Sequence, residues 1–170
     1  IHYIKETQHR QLGHITSLSR LSSEDYVWMD RFTIRNLELF QTREQQGVSL
    51  LEVIDKPSSP MGGRLLRRWL AMPLKQLDAI RQRHKVVGYF AGRDALLEVV
   101  REHLGRTGDL ERLIAKAAAG KITPRETVHL KNALETLIPL KGRITGVDEP
   151  ALERLGQAID PCDPLRERIK

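Results

Sequence analysis

The sequence predicts a mainly α-helical protein, a multi-helix bundle with a small β-ribbon near residues 15–40. Three observations predict it. Apolar residues recur at helical spacing over most of the chain, as in Met61, Leu65, Leu66, Trp69 and Leu70. Helix start signals stand before these runs: Ser59-Pro60 places a capping hydroxyl and a first-turn proline, and Thr123-Pro124-Arg125-Glu126 reads as a capping box. Composition agrees, because 29% charged and 5% aromatic residues suit long, partly exposed helices better than a β-sandwich.

Taken in order, Ile1–Leu12 reads as a short amphipathic helix that Gly13 stops. Apolar and polar residues alternate from Ile15 to Arg20, and Tyr26-Val27-Trp28-Met29 is a compact β-prone run. Asp30–Arg35 is a turn or short helical turn, and Asn36–Phe40 is the candidate second strand of the ribbon. Asp30, Thr33, Arg35 and Asn36 are open to two readings, an active site or a local hydrogen-bond knot with Asp30 as cap. No nucleophile, base and oxyanion donor assemble among them. Thr42–Gln46 is a polar loop, and Val48–Ile54 a short helix ending at Asp55-Lys56-Pro57.

The helix begun at Ser59 ends at Met72-Pro73, because the residue before proline resists the helical region. A second helix follows this corner, with Leu77, Ile80, His84, Val87 and Ala91 as its expected stripe, and Gly92 breaks it. Arg93–Leu104 forms the next helix, with Leu96, Leu97 and Val100 inward. Gly105 and Gly108 bracket a turn, and Asp109 or Thr107 caps a helix carrying Leu110, Leu113, Ile114, Ala117 and Ala118. The triple alanine Ala117–Ala119 would permit close helix approach, and Gly120 ends the run. Leu130, Leu134, Leu137 and Ile138 mark a further helix, with an end or kink expected at Pro139. Gly142–Pro150 reads as a loop, Leu152, Leu155 and Ile159 as a short helix, and Asp163-Pro164 as the start of a last one.

The net charge of +6 is concentrated. From Ser59 to Arg93 there are eight basic residues against one acid, Asp78, so the rest is about neutral. Such a face attracts a phosphate backbone or an acidic surface, or is simply a solvated face. Arg64, Arg67, Arg68 and Arg81 are the candidate phosphate contacts. Pro60, Gly62, Trp69, Pro73 and Leu74 are the candidate structural keystones, with Trp69 as a large buried anchor and Gly62 marking close backbone packing.

Several chemistries lack their residues. The one Gly-Lys pair, Gly120-Lys121, is followed by Ile122 and lacks the upstream glycine of a phosphate-binding loop. No H-E-x-x-H, G-x-S-x-G or G-x-G-x-x-G occurs. His2, His9 and His14 have no ligand spacing. The single cysteine, Cys162, excludes an internal disulfide. No apolar run reaches the ~18 residues of a membrane span. No basic-then-apolar leader precedes the first helix, and a cytoplasmic setting is expected. Helical patterns at Ile1 and Lys170 suggest a piece of a longer protein.

Three segments carry a resemblance. Ser59–Leu74 (SPMGGRLLRRWLAMPL), Met29–Leu39 (MDRFTIRNLEL) and Gly108–Arg125 (GDLERLIAKAAAGKITPR) resemble, in order and at similar separations, segments of the MutS DNA mismatch-repair ATPases. The resemblance covers nearly the whole chain and fades after about Leu140. It implies that residues 1–170 are the first half of that family's core or lever domain, domain III. It also implies that the mismatch-reading, connector, clamp and ATPase domains lie elsewhere. The family's Phe-x-Glu reader is absent, since Phe32, Phe40 and Phe90 are each followed by other residues.

By the same resemblance, ATP and Mg would bind only in the whole protein's ATPase domain, with no cofactor or catalysis expected here. Its partners would be mismatched duplex DNA, a homodimer partner and a MutL-type repair protein, with no membrane. The setting would be the bacterial cytoplasm, nucleoid-associated in function. Two functions are therefore expected to compete: an allosteric lever, and sequence-independent DNA backbone binding by the Arg64–Arg93 face. Without the rest of the domain, the Leu130/Leu134/Leu137 stripe is expected to be exposed and to drive self-association.

Overall fold

The computed structural model describes residues 24–44 and 46–169, and nine helices form there. Asp30 starts α1 (Arg31–Asn36) by accepting from the Thr33 amide at 2.6 Å. A loop then leads to α2 (Leu50–Ile54), opened by a reciprocal box: Ser49 caps the Glu52 amide while Glu52 accepts from the Ser49 amide at 2.7 Å. The Leu50 and Leu51 amides donate to the carbonyls of Glu38 and Leu39. Leu39, Ser49 and Leu51 are the buried centre of this small unit.

Helix α3 (Pro60–Ala71) starts as its sequence dictates, with Ser59 accepting from the Gly62 amide and Pro60 in the first turn. A β-carbon on Gly62 would stand 3.2 Å from the Pro57 side chain, so the glycine lets the preceding loop fold back closely. Met72 ends α3 before Pro73. The corner is stitched from outside: Tyr26 and Leu74 form an antiparallel bridge, flanked by Val27 N–H to Pro73 O at 2.8 Å and Lys75 N–H to Asp25 O at 3.0 Å.

The bundle proper follows: α4 (Leu77–Ala91), α5 (Asp94–Thr107), α6 (Leu110–Ala118), α7 (Pro124–Ile144), α8 (Pro150–Ala158) and α9 (Asp163–Arg168). Gly108 and Gly120, at φ +64° and +65°, make the turns on either side of α6. Helix α7 is the axis, packing on α5, α6, α8 and α9, while α4 packs on α5 and α8. Val100, Leu140, Ile144 and Leu152 form the central cluster, covered by Val86, Tyr89, Phe90, Leu96, Leu104, Leu137, Val147 and Ile159. The close approach of α8 to the end of α7 depends on Gly156, which is buried.

The mainly helical bundle agrees with the sequence reading, and several local expectations are corrected. The ribbon near residues 15–40 is not found in its described part. Residues 31–36 are helical, and among the described residues the one β-bridge joins Tyr26 to Leu74, which are distant in sequence. The expected Ile1–Leu12 helix and the alternation at residues 15–20 lie outside the described residues.

Pro139 neither ends nor divides α7, which runs on to Ile144 and includes Gly142. Pro139 and Glu135 both face solvent, so water can take the carbonyl left without a donor. The stripe expected to be exposed is instead core: Leu130 and Leu134 are buried and Leu137 covers the central cluster. That removes the ground for self-association through it.

In α4 the inward stripe is Ile80, Arg83, Val86, Tyr89 and Phe90, while Leu77, His84, Val87 and Ala91 are exposed. Ala117–Ala119 are exposed rather than pressed against a helix, and Gly105 lies inside α5.

Candidate nucleic-acid interface

The basic face is built on α3 and α4, which diverge from the Pro73 corner. On α3, Arg64, Arg67 and Arg68 share one side through i, i+3, i+4 spacing. On α4, Arg81 and Lys85 are one turn apart, and Lys75 lies in the corner. The structure separates these cations into two groups.

The first group is already occupied. The Arg64 guanidinium donates Nη1 and Nη2 to the two carboxylate oxygens of Asp109, at 3.0 and 2.7 Å. Its Nε and Nη2 also donate to Glu111 Oε2, at 3.0 and 2.6 Å. These bonds hold the Asp109 carboxyl below its usual range and raise the Arg64 pKa from its ordinary value. Arg81 stands 4.0 Å from Asp78, a loose helical pair. Arg83 lies over the Trp69 ring at 3.6 Å, and burial there lowers its pKa. Arg93 covers Tyr89 at 3.9 Å and donates to the Tyr89 carbonyl.

The second group is open. Arg67, Arg68, Lys75 and Lys85 are exposed and have no carboxylate partner among the described residues. Of the four candidate phosphate contacts, then, Arg67 and Arg68 have no carboxylate partner among the described residues, Arg81 has only its loose pair with Asp78, and Arg64 is engaged within the fold. Lys75 and Lys85 join the open set; their local run of positive charge was the available signal.

The proposed keystones also divide. Pro60 and Gly62 build the start of α3, and Pro73 and Leu74 carry the bridge to residues 25–27. Trp69 is 40% exposed, so it is not a buried anchor. Its indole is instead a platform for Arg83 across the corner.

Several other polar groups make contacts within the fold. Asp30 caps α1, as one of the two open readings has it, while the Asn36 side-chain oxygen accepts from Arg43. Lys116 pairs with Glu126 across the α6–α7 turn. Capping of Thr123 adds to that pairing and pushes the Glu126 carboxyl down to about 2. Among the described residues, no group of three His, Cys, Asp or Glu side chains could hold a metal ion, and no helix is long and apolar enough to cross a membrane. A cleft of about 490 Å³ beside α6 and α7 contains the Lys116–Glu126 pair and no assembled nucleophile and base.

Such an arrangement defines a helical-bundle domain with a partly open basic face. A family model described as MutS domain III matches residues 32–169, and the chain belongs to that family. The match runs well past Leu140, where the resemblance in the sequence alone faded.

Named relatives agree. The chain is 48% identical to the DNA mismatch repair protein MutS of Flavobacterium psychrophilum over 170 residues, all of this chain and 20% of that protein. Identity is 48% to the protein of the same name in Flavobacterium johnsoniae, over 100% of this chain and 20% of the relative. It is 45% to that in Bacteroides fragilis, with the same coverage. The chain thus spans about one fifth of the length of these curated relatives.

Proposed function

We propose that this chain is the lever region of a DNA mismatch-repair protein, coupling mismatched-DNA binding to ATP hydrolysis carried out elsewhere in the whole protein. The observation that carries this reading is the corner at Pro73. Two helices leave it at a geometry set by the proline and by backbone pairing to residues 25–27, and the second helix runs into the bundle core. Coupling over distance requires stiff elements with discrete arrangements, and a capped α3 joined at this corner to an α4 docked on the packed bundle supplies them. In this reading ATP and Mg, a homodimer partner and a MutL-type protein belong to the whole protein, acting in the bacterial cytoplasm.

The test is made in the full-length protein that carries this chain. Replacing Met72-Pro73 by Gly-Gly should leave mismatch affinity and basal ATPase within a factor of about three, while removing the ATP-triggered release of mismatched DNA. Unchanged ATP-triggered release would overturn the lever reading.

A second reading has its own support: Arg67, Arg68, Lys75 and Lys85 are exposed cations without partners among the described residues. They suit sequence-independent contact with duplex phosphates. Anisotropy of labelled matched and mismatched duplexes should then show equal affinities that fall steeply with salt. Absence of binding at low salt would leave the face to intramolecular partners.

A further inference from the structure

Helix α3 is the least anchored long helix of the described chain. It has no buried residue and takes part in none of the main helix-on-helix contacts. Beneath it lies a groove of about 770 Å³ whose walls include Met61, Leu65, Arg68 and Leu104. An interdigitated helix pair leaves no such space.

Among the described residues, two polar ties join α3 to the rest, beside the partial burial of Leu66 and Leu70. Arg64 forks onto Asp109 and Glu111 at the start of α6, and Trp69 receives Arg83 from α4. Arg64 uses its three nitrogens for four hydrogen bonds to two carboxylates, a planar recognition that lysine cannot copy. Asp109 is fixed in turn, because the carboxylate that receives Arg64 also caps the Arg112 amide.

We propose that Arg64, Asp109 and Glu111 form an ionic latch that docks the α3 arm on the bundle, and that releasing it lets α3 swing without unfolding the core. The residues involved are 45 and 47 positions apart in sequence, and they belong to two of the three segments that resemble the family. The latch joins parts of the chain that nothing local holds together. With Arg64 48% and Glu111 62% exposed, and Asp109 more enclosed at 24%, the latch is breakable, since its partners hydrate when apart. The core cluster, in contrast, is built without α3. Opening the arm therefore exposes the α3–α5 groove and leaves the packing of α5, α7 and α8 intact. This inference rests on the lever reading, for which it names the moving joint.

Amide hydrogen exchange on the chain reads the latch without DNA or nucleotide, so its outcome is separate from that of the coupling assay. Arg64→Gln should speed exchange in residues 63–71 by roughly three- to tenfold, with residues 130–144 unchanged. Glu111→Gln, which leaves the Asp109 cap in place, should give a smaller change confined to the same segment. Raising salt on the unaltered chain should also speed exchange in α3 selectively, a check that needs no variant to fold. An α3 that ignores both Arg64→Gln and salt would overturn the latch. So would acceleration of α3 and α7 together, which would make the contact part of global stability.

Discussion

Gly156 lies against the backbone of Ile144 so closely that a β-carbon on it would sit 2.8 Å from the Ile144 carbonyl oxygen and 2.7 Å from the Thr145 methyl. Here α8 crosses the end of α7, and the obstacle is backbone, which cannot rotate away. Gly156→Ala is therefore expected to destabilise the fold by about 1–3 kcal/mol through overpacking, despite alanine's better helix propensity. Gly88 supplies the opposite case on α4, where an added β-carbon meets nothing within 4 Å. Gly88→Ala should stabilise by about 0.5–1 kcal/mol. Urea unfolding midpoints of the two variants should move in opposite directions; movement of both the same way would refute the assigned contact.

The second prediction concerns where the large side chains matter. Leu140 is buried in the central cluster, so Leu140→Ala should cost about 2–5 kcal/mol. Trp69 keeps much of its surface in water and contributes mainly through Arg83. Trp69→Ala should cost only about 1–2 kcal/mol despite deleting a far larger side chain. Equilibrium denaturation orders the pair, and a costlier Trp69→Ala would mean that the indole is better enclosed than its exposure indicates.

These contrasts show what the sequence could and could not reveal. Helix starts at Ser59-Pro60 and Thr123-Pro124 were legible because capping is local chemistry within four residues. The Ser49-x-x-Glu52 box is local chemistry of the same kind. Pairing of Tyr26 with Leu74 was not legible, since nothing in either segment specifies a partner so far along the chain. Helix α4 carries two apolar stripes, and only the neighbouring helices decide that Val86 and Phe90, not Leu77 and Val87, face the core. For the candidate interface, the sequence supplied the positive charges. It could not show that Arg64 is spent on Asp109 and Glu111 while Arg67 and Arg68 remain open.

The Tyr26–Leu74 bridge gives a third prediction. The Val27 amide donates to the Pro73 carbonyl, and Val27 itself is exposed. Val27→Pro removes that donor and is expected to cost about 1–3 kcal/mol locally. Val27→Thr keeps it and should be nearly neutral. Hydrogen exchange at Lys75, whose amide donates to Asp25 in the same pairing, reports the loss. An unchanged Lys75 amide in Val27→Pro would show that the pairing does not hold the corner.

Acid should weaken this fold, and Glu126 gives the clearest share. Its carboxylate accepts from Lys116 and from the Thr123 amide, which together lower it from 4.5 to about 2. For a carboxyl depressed on folding, the folded state binds its proton less readily than the unfolded one. The stabilisation is therefore complete above the unfolded value of 4.5 and is lost as pH falls from there through about 2. Glu126→Gln mimics the protonated side chain. The variant should be less stable than the unaltered chain at neutral pH, and the difference should shrink as pH drops below 4.5. Asp30, Glu52, Asp109 and Glu153 are lowered too and add their own acid sensitivity to both proteins, so the comparison isolates Glu126. Urea midpoints at pH 7 and pH 3 measure it. A difference that stays constant across that range would mean that Lys116 and Thr123 do not favour the ionised form, and that Glu126 matters through its shape alone.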